Sequence, residues 1–138
     1  MPLTISELNT SEHTAFTAAL GHVFEHSPWV AERSWPRRPF RDAAHLHAQL
    51  CHTMQSAPLE QQAALIRAHP DLAGRLARQK QLTKESTKEQ VSAGLDQLAD
   101  TELAAFQKLN DEYRAQFGFP FIICARLNAK DAIVAAMK

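Results

Sequence analysis

Apolar side chains recur every three or four residues along most of this chain, which is the spacing that places them on one side of an α-helix. Only four glycines occur among 138 residues, and alanine and leucine, which favour helix, are abundant. We therefore predict an all-α protein. A chain of this length buries enough surface for one core, so we predict a single compact multi-helix domain over residues 1–138.

Capping residues and prolines set the predicted helix ends. Ser11 is predicted to cap the first clear helix, which ends by His26 and Pro28 and is expected to carry four residues inward: Phe16, Leu20, Val23 and Phe24. The other predicted helices are 29–34, 41–55, 58–68, 86–98 and 101–117. Gly118 is the predicted left-handed terminator of the last of these. Residues 119–125 are apolar enough for a strand, but no second strand is available, so we predict a buried loop that enters a helix.

Composition excludes several functional classes. Lysine plus arginine equal aspartate plus glutamate at 15 each, so no net field attracts nucleic acid. We expect no nucleic-acid partner and, since no apolar run is long enough, no membrane span. Cys51 and Cys124 lie far apart and form no CxxC pair, which favours a reducing, cytoplasmic setting.

Metal binding is not predicted, although the chain contains seven histidines. The densest group is His45, His47 and His52, whose separations of two and five residues point the side chains apart on a helix. Solvated surface histidines are the preferred interpretation.

Two residues each allow a catalytic and a structural interpretation. His69 precedes Pro70 at a predicted helix end, where its imidazole could enter a cavity or bond the last free carbonyls. Glu89 ends the segment Ser86-Thr87-Lys88-Glu89, which matches a capping box. The residues alone leave both alternatives open.

Four blocks follow one another along the second half of the chain: His69-Pro70-Asp71-Leu72-Ala73-Gly74; Ser86-Thr87-Lys88-Glu89-Gln90 with Ala93-Gly94-Leu95; Leu109-Asn110 with Tyr113; and Phe117-Gly118-Phe119-Pro120-Phe121-Ile122-Ile123-Cys124. Together they resemble the family of 2-oxo-4-hydroxy-4-carboxy-5-ureidoimidazoline (OHCU) decarboxylases. The early segments Phe24-Glu25-His26-Ser27-Pro28-Trp29 and Arg38-Pro39-Phe40 are also similar. Their order and spacing together make the resemblance specific.

The resemblance implies an all-helical enzyme without a cofactor or metal, with a homodimer as the expected assembly. It would convert the small molecule OHCU to S-allantoin and carbon dioxide after urate oxidation. By position, His69 and Glu89 match the catalytic residues. The implied substrate-binding residues are Pro70, Ser86, Thr87, Lys88, Gln90, Phe121, Ile122, Ile123, Cys124 and Ala125. The family's terminal helix, with an arginine that contacts substrate, has no counterpart before Lys138, so we expect this chain to lack it.

Two rival classes remain at this stage, a non-catalytic helical interaction module and a metal-dependent hydrolase. The positions of the candidate residues in the fold distinguish the interaction module from the enzyme. If His69, Glu89 and the backbone of residues 122–124 line one cavity, the decarboxylase interpretation gains support. Metal analysis of the purified protein would test the second.

Overall fold

The computed structural model describes residues 2–73 and 84–138, and every regular element within those ranges is helical. The prediction of an all-α protein is confirmed. The α-helices are α1 Ile5–Thr10, α2 His13–Leu20, α3 Trp29–Ser34, α4 Ala43–Gln55, α5 Leu59–Arg67, α6 Lys84–Ser92, α7 Asp100–Phe117 and α8 Lys130–Met137, with 3₁₀ turns at Trp35–Arg37 and Ala125–Leu127. Residue contacts group the chain into two compact units, Met1–Leu65 and Ile66–Lys138.

The first unit packs its helices around an apolar core. The buried members are Leu8, Phe16, Val30, Ala31, Phe40, Leu46, Leu50 and Leu65. Phe16 and Phe40 stack with ring centroids 5.9 Å apart. Arg38 covers the Trp35 ring at 4.0 Å and donates hydrogen bonds to the carbonyls of Asn9 and Ser11. A cation that is stacked and bonded in this way is a structural part of the unit.

The prediction for the N-terminal region was wrong in three respects: an earlier helix was missed, Ser11 does not cap the predicted helix, and that helix ends at Leu20 and not near His26. A short helix, α1, precedes the predicted one, and Thr4 and Glu7 form its capping box. Ser11 therefore closes α1, donating its hydroxyl to the Leu8 carbonyl at 2.8 Å, and does not cap the following helix. Val23, expected inward, is 48% exposed because α2 ends at Leu20. Six residues are too few for apolar periodicity to reveal α1.

The next three helices agree closely with their predicted ranges. Helix α3 has the predicted bounds, and α4 begins after Asp42, whose carboxylate accepts a hydrogen bond from the His45 amide at 2.7 Å. Helix α5 lies within the predicted range and ends before His69. No helix in the described ranges is long and apolar enough to cross a membrane.

The second unit has its own core and contains the four sequence blocks, from His69 to Cys124, that carry the family resemblance. Its buried members are Leu72, Ala73, Ala93, Leu95, Phe106, Ala125, Ile133 and Met137. Helix α7 ends at the predicted Gly118, whose φ of 76° is left-handed. Lys130 of α8 meets Glu102 of α7 at 2.7 Å, and Glu102 also accepts from the Ala99 amide. Gly74, which ends the first block, lies outside the described residues.

Helix α6 is shorter than predicted because a glycine stops it. Gly94 adopts φ 77°, the Gly94 amide bonds to the Val91 carbonyl, and the Leu95 amide bonds to the Gln90 carbonyl. This pair of hydrogen bonds is the Schellman arrangement that ends helices at a left-handed glycine. The predicted continuation to residue 98 was therefore wrong, and Gly94 was the signal against it.

Residues 119–125 form no strand and enter the 3₁₀ turn at Ala125, as predicted. The predicted burial holds only in part. Pro120 and Ala125 are buried, whereas Phe119 and Ile122 are 37% and 46% exposed. The segment is therefore a half-exposed apolar wall.

Candidate active site

The second unit contains a pocket with a cavity volume of about 50 Å³. It is lined by His69, Pro70, Leu72, Ser86, Glu89, Gln90, Phe121, Ile122, Ile123 and Ala125. These residues come from three places in the chain: the segment after α5, one side of α6, and the segment that follows α7. Nine of the twelve residues predicted for the site therefore lie around one cavity.

The first wall follows directly from the end of α5. The His69 amide donates to the Ile66 carbonyl at 3.2 Å, a final turn that carries the chain to the helix end. Pro70 cannot continue the hydrogen-bond ladder, so the chain leaves the helix there. His69 and Pro70 are partly buried, and Leu72, which was not predicted for the site, is buried beside them. Leu72 belongs to the block that begins at His69, and its apolar character directly after Asp71 was the available signal.

The second wall is one side of α6. Ser86, Glu89 and Gln90 are three and four residues apart, which places them on the same helix face. Thr87 and Lys88, also predicted for the site, are exposed and do not line the pocket, because their positions point away from that face. Ser86 is the third residue of α6 and Glu89 lies in its middle. An N-cap residue lies outside the helix, so the capping-box interpretation of this pair was wrong.

The third wall is the segment between α7 and α8. Phe121, Ile122 and Ile123 present apolar groups, and the Phe121 ring meets Tyr113 edge-on at 5.2 Å. Cys124, predicted for this wall, is exposed and is not among the lining residues. Its carbonyl accepts a hydrogen bond from the Asn128 side chain at 2.9 Å, which fixes the backbone beside Ala125.

Two side-chain amides hold the first wall from opposite directions. The carbonyl of Leu72 accepts from Asn110 Nδ2 at 2.8 Å, and the amide of Ala73 donates to Gln90 Oε1 at 3.0 Å. Both bonds are buried and both engage the single peptide group between Leu72 and Ala73. We call this arrangement the amide clamp. A third contact joins Arg114 Nη2 to Asp71 Oδ1 at 2.8 Å.

The lining groups combine acid–base and hydrogen-bonding capacity with an apolar surface. His69 can donate and accept protons, and Glu89 supplies a carboxylate. Ser86 and Gln90 add a hydroxyl and an amide. Within residues 2–73 and 84–138, no three histidine, cysteine, aspartate or glutamate side chains gather as metal ligands would. The site is thus equipped for proton transfer to a small polar molecule held against an apolar wall.

Comparison with known proteins gives one family. The family model for OHCU decarboxylase matches residues 9–138. A 2-oxo-4-hydroxy-4-carboxy-5-ureidoimidazoline decarboxylase of Halalkalicoccus jeotgali is 43% identical over 99% of this chain and 75% of its own, and one of Haloferax volcanii is 41% identical over 99% and 79%. The crystal structure of an (S)-allantoin synthase superposes with a TM-score of 0.70 at 28% identity. It covers 98% of this chain, which spans 43% of the synthase chain. This chain therefore belongs to the OHCU decarboxylase family.

Proposed function

We propose that this protein is a carboxy-lyase that converts OHCU to S-allantoin and carbon dioxide in the breakdown of urate, with His69 and Glu89 as its catalytic residues. One observation carries the assignment of roles. His69 and Glu89 line a single cavity together with the apolar residues 121–123. An interaction module whose histidine and glutamate were only structural would have no reason to bring them to one pocket, so this convergence favours the enzyme.

The reaction itself needs little from the protein beyond placement and a proton. Loss of carbon dioxide leaves an electron pair on carbon, and in OHCU this pair can delocalise into the adjacent C=N bond. The protein must then hold the substrate, surround its carboxylate with apolar groups that favour the uncharged product, and deliver a proton to one face. Phe121, Ile122 and Ile123 supply the apolar surface.

His69 is the proposed proton donor, and Glu89 is its proposed partner. Imidazole is the side chain best suited to exchange protons near neutral pH. A carboxylate in the same pocket stabilises the protonated imidazole and orients it. In this scheme, His69 protonates the substrate carbon and so sets the S configuration. In an alternative order, the same pair first removes the substrate hydroxyl proton.

The remaining lining groups are proposed to bind the substrate. Because the Gln90 Oε1 atom already accepts from Ala73, the Nε2 group is the part of this amide left to donate to a substrate oxygen. Ser86, on the same helix face, can donate or accept. Pro70 and Ala125 complete the shape of the pocket.

The test is to generate OHCU in the cuvette from urate with urate oxidase and hydroxyisourate hydrolase, and to follow the optical activity of the allantoin formed. Because OHCU decays spontaneously to racemic product, we expect this protein to accelerate the reaction and to give an excess of the S enantiomer. Heat-inactivated protein is the control. A rate equal to the spontaneous background would refute the assignment.

We further propose a homodimer in the cytoplasm. Phe117, Phe119 and Ile122 are 48%, 37% and 46% exposed, and apolar groups left exposed in this way favour association. Sedimentation equilibrium would detect the dimer, and a monomer at all concentrations would refute it.

The proposed cytoplasmic location rests on the cysteines. Cys51 and Cys124 are free thiols, which suits a reducing compartment. Cell fractionation would test the location.

A further inference from the structure

We infer that Asn110 is a positioning residue for His69, acting through the amide clamp on the Leu72–Ala73 peptide. The inference rests on the proposed function of His69 as the proton donor. Asn110 lies on α7 and is not among the residues that line the pocket. Its role follows from what its side chain holds.

The clamped peptide is fixed in direction as well as in place. Its carbonyl and its amide are each bonded to a buried side chain, Asn110 on α7 and Gln90 on α6, so the peptide plane cannot rotate without breaking both bonds. Ala73 adopts φ 52°, a left-handed conformation that alanine rarely takes. Such a conformation persists where surrounding contacts impose it. Both clamp bonds are made by the peptide group that joins Leu72 to Ala73, directly before the Cα atom of Ala73.

The clamped peptide belongs to the wall that carries His69. Leu72 itself lines the pocket, and only Pro70 and Asp71 separate it from His69. Arg114, four residues after Asn110 and therefore on the same face of α7, holds Asp71 at 2.8 Å. Helix α7 thus fixes two consecutive residues of the segment that follows the imidazole. Displacement of this segment would displace the proton donor.

Asn110 is also a poor choice for packing alone. It is 2% exposed, and its Oδ1 atom has no hydrogen-bond partner within the described residues. A buried acceptor without a partner destabilises the folded state, so an apolar residue of similar size would suit the core as well or better. The amide cannot be turned over to relieve this, because Oδ1 would then face the Leu72 carbonyl. What asparagine provides is the donor.

The decisive variant is Asn110→Leu, which has nearly the same size and removes both the donor and the unpartnered acceptor. It leaves the Leu72 carbonyl unpaired in place of Oδ1, so the count of unpartnered acceptors is unchanged and the Tm is expected to stay close to that of the parent. If Asn110 positions His69, kcat should fall, by on the order of 10²-fold for a displacement near 1 Å, with little change in KM. The matched control is Gln107→Leu, which also replaces a side-chain amide by leucine, at an exposed α7 position whose amide donates to Asp111.

A second variant, Asn110→Asp, tests for the donor directly. A carboxylate can only accept, so kcat should fall at neutral pH. The protonated acid can donate to Leu72 again, so the ratio of variant to parent kcat should rise as the pH is lowered. If Asn110 only stabilises the fold, the relative kcat of Asn110→Asp should recover at low pH no more than its Tm does.

Imidazole resonances in nitrogen-15 NMR spectra supply a readout that does not depend on turnover. The His69 signal is identified by its loss in the His69→Asn variant. In Asn110→Leu, this signal should shift or broaden while the other six histidines stay in place. An unchanged His69 signal would overturn the positioning role even if OHCU proved not to be the substrate. If OHCU is turned over, unchanged kcat in Asn110→Leu would also overturn it.

Discussion

Replacing Glu89 by glutamine separates the charge of this side chain from its shape. The side chain is exposed in the middle of α6 and takes no part in a cap, so the swap alters neither core packing nor a helix end. Exposed substitutions of this kind change stability by about 0.5 kcal/mol or less. For a chain of this size, that corresponds to a Tm shift of about 2 °C or less.

The expected effect on turnover is larger. A hydrogen bond to a charged group contributes about 1.5–3 kcal/mol, against about 0.5–1.5 kcal/mol between neutral groups. Loss of the charge opposite a His69 imidazolium would then raise the barrier by about 1–2 kcal/mol, a factor of about 5–30 in kcat. The assay is S-allantoin formation, with Tm measured on the same preparation.

A matched control fixes the interpretation of that experiment. Glu112 is also an exposed helical carboxylate, paired with Lys108 at 3.7 Å on α7 and outside the pocket. Glu112→Gln should leave both kcat and Tm nearly unchanged. If Glu89→Gln behaves in the same way as this control, the carboxylate has no role in proton transfer and the proposed pair is wrong.

Two other predictions follow from the described contacts. His69→Asn should retain the fold and lower kcat by on the order of 10²- to 10⁴-fold, measured by the same allantoin assay; near-normal turnover would show that His69 is structural. The hydrogen bond from Lys130 lowers the pKa of Glu102 below its usual 4.5, and the same bond raises the pKa of Lys130 above its usual 10.5. The stabilisation is therefore complete between those two pH values, and is lost as the pH falls through the lowered pKa or rises through the raised one. The Tm difference between the parent and Lys130→Gln should be largest in this range and vanish at both extremes; a difference independent of pH would contradict the ion pair.

Local patterns predicted the helices wherever the determining signal was itself local. The apolar spacing of α4 and the left-handed glycine after α7 each lie within a few residues of the element they define, and both predictions hold. The N-terminal helix was missed because six residues are too few to display a period and because, unlike the equally short α3 between Pro28 and Pro36, it is not bounded by prolines on both sides. The predicted helix over residues 86–98 was too long because the apolar spacing continues past Gly94, whereas the observed α6 ends at Ser92.

The pocket could be predicted only through the resemblance, since its walls are distant in sequence. Periodicity places Ser86, Glu89 and Gln90 on one face but does not say what they face. Leu72 and Asn110 were missed because tertiary contacts define their roles. Asn110 nevertheless gave a signal, since it follows the buried Phe106 by four residues and so places a polar group on the inward face of α7.

The double engagement of Gln90 affects how mutations at this position should be interpreted. Its side chain holds the Ala73 amide through one atom and borders the pocket with the rest. A truncation such as Gln90→Ala would remove the proposed substrate contact and, in the same step, release the wall that carries His69. Its kinetic defect would therefore overstate the affinity of the amide for the substrate. The kinetic effect of Gln90→Ala should therefore be measured both in the parent and in the Asn110→Leu background. Only the difference between these two effects would separate substrate binding by Gln90 from its support of the wall.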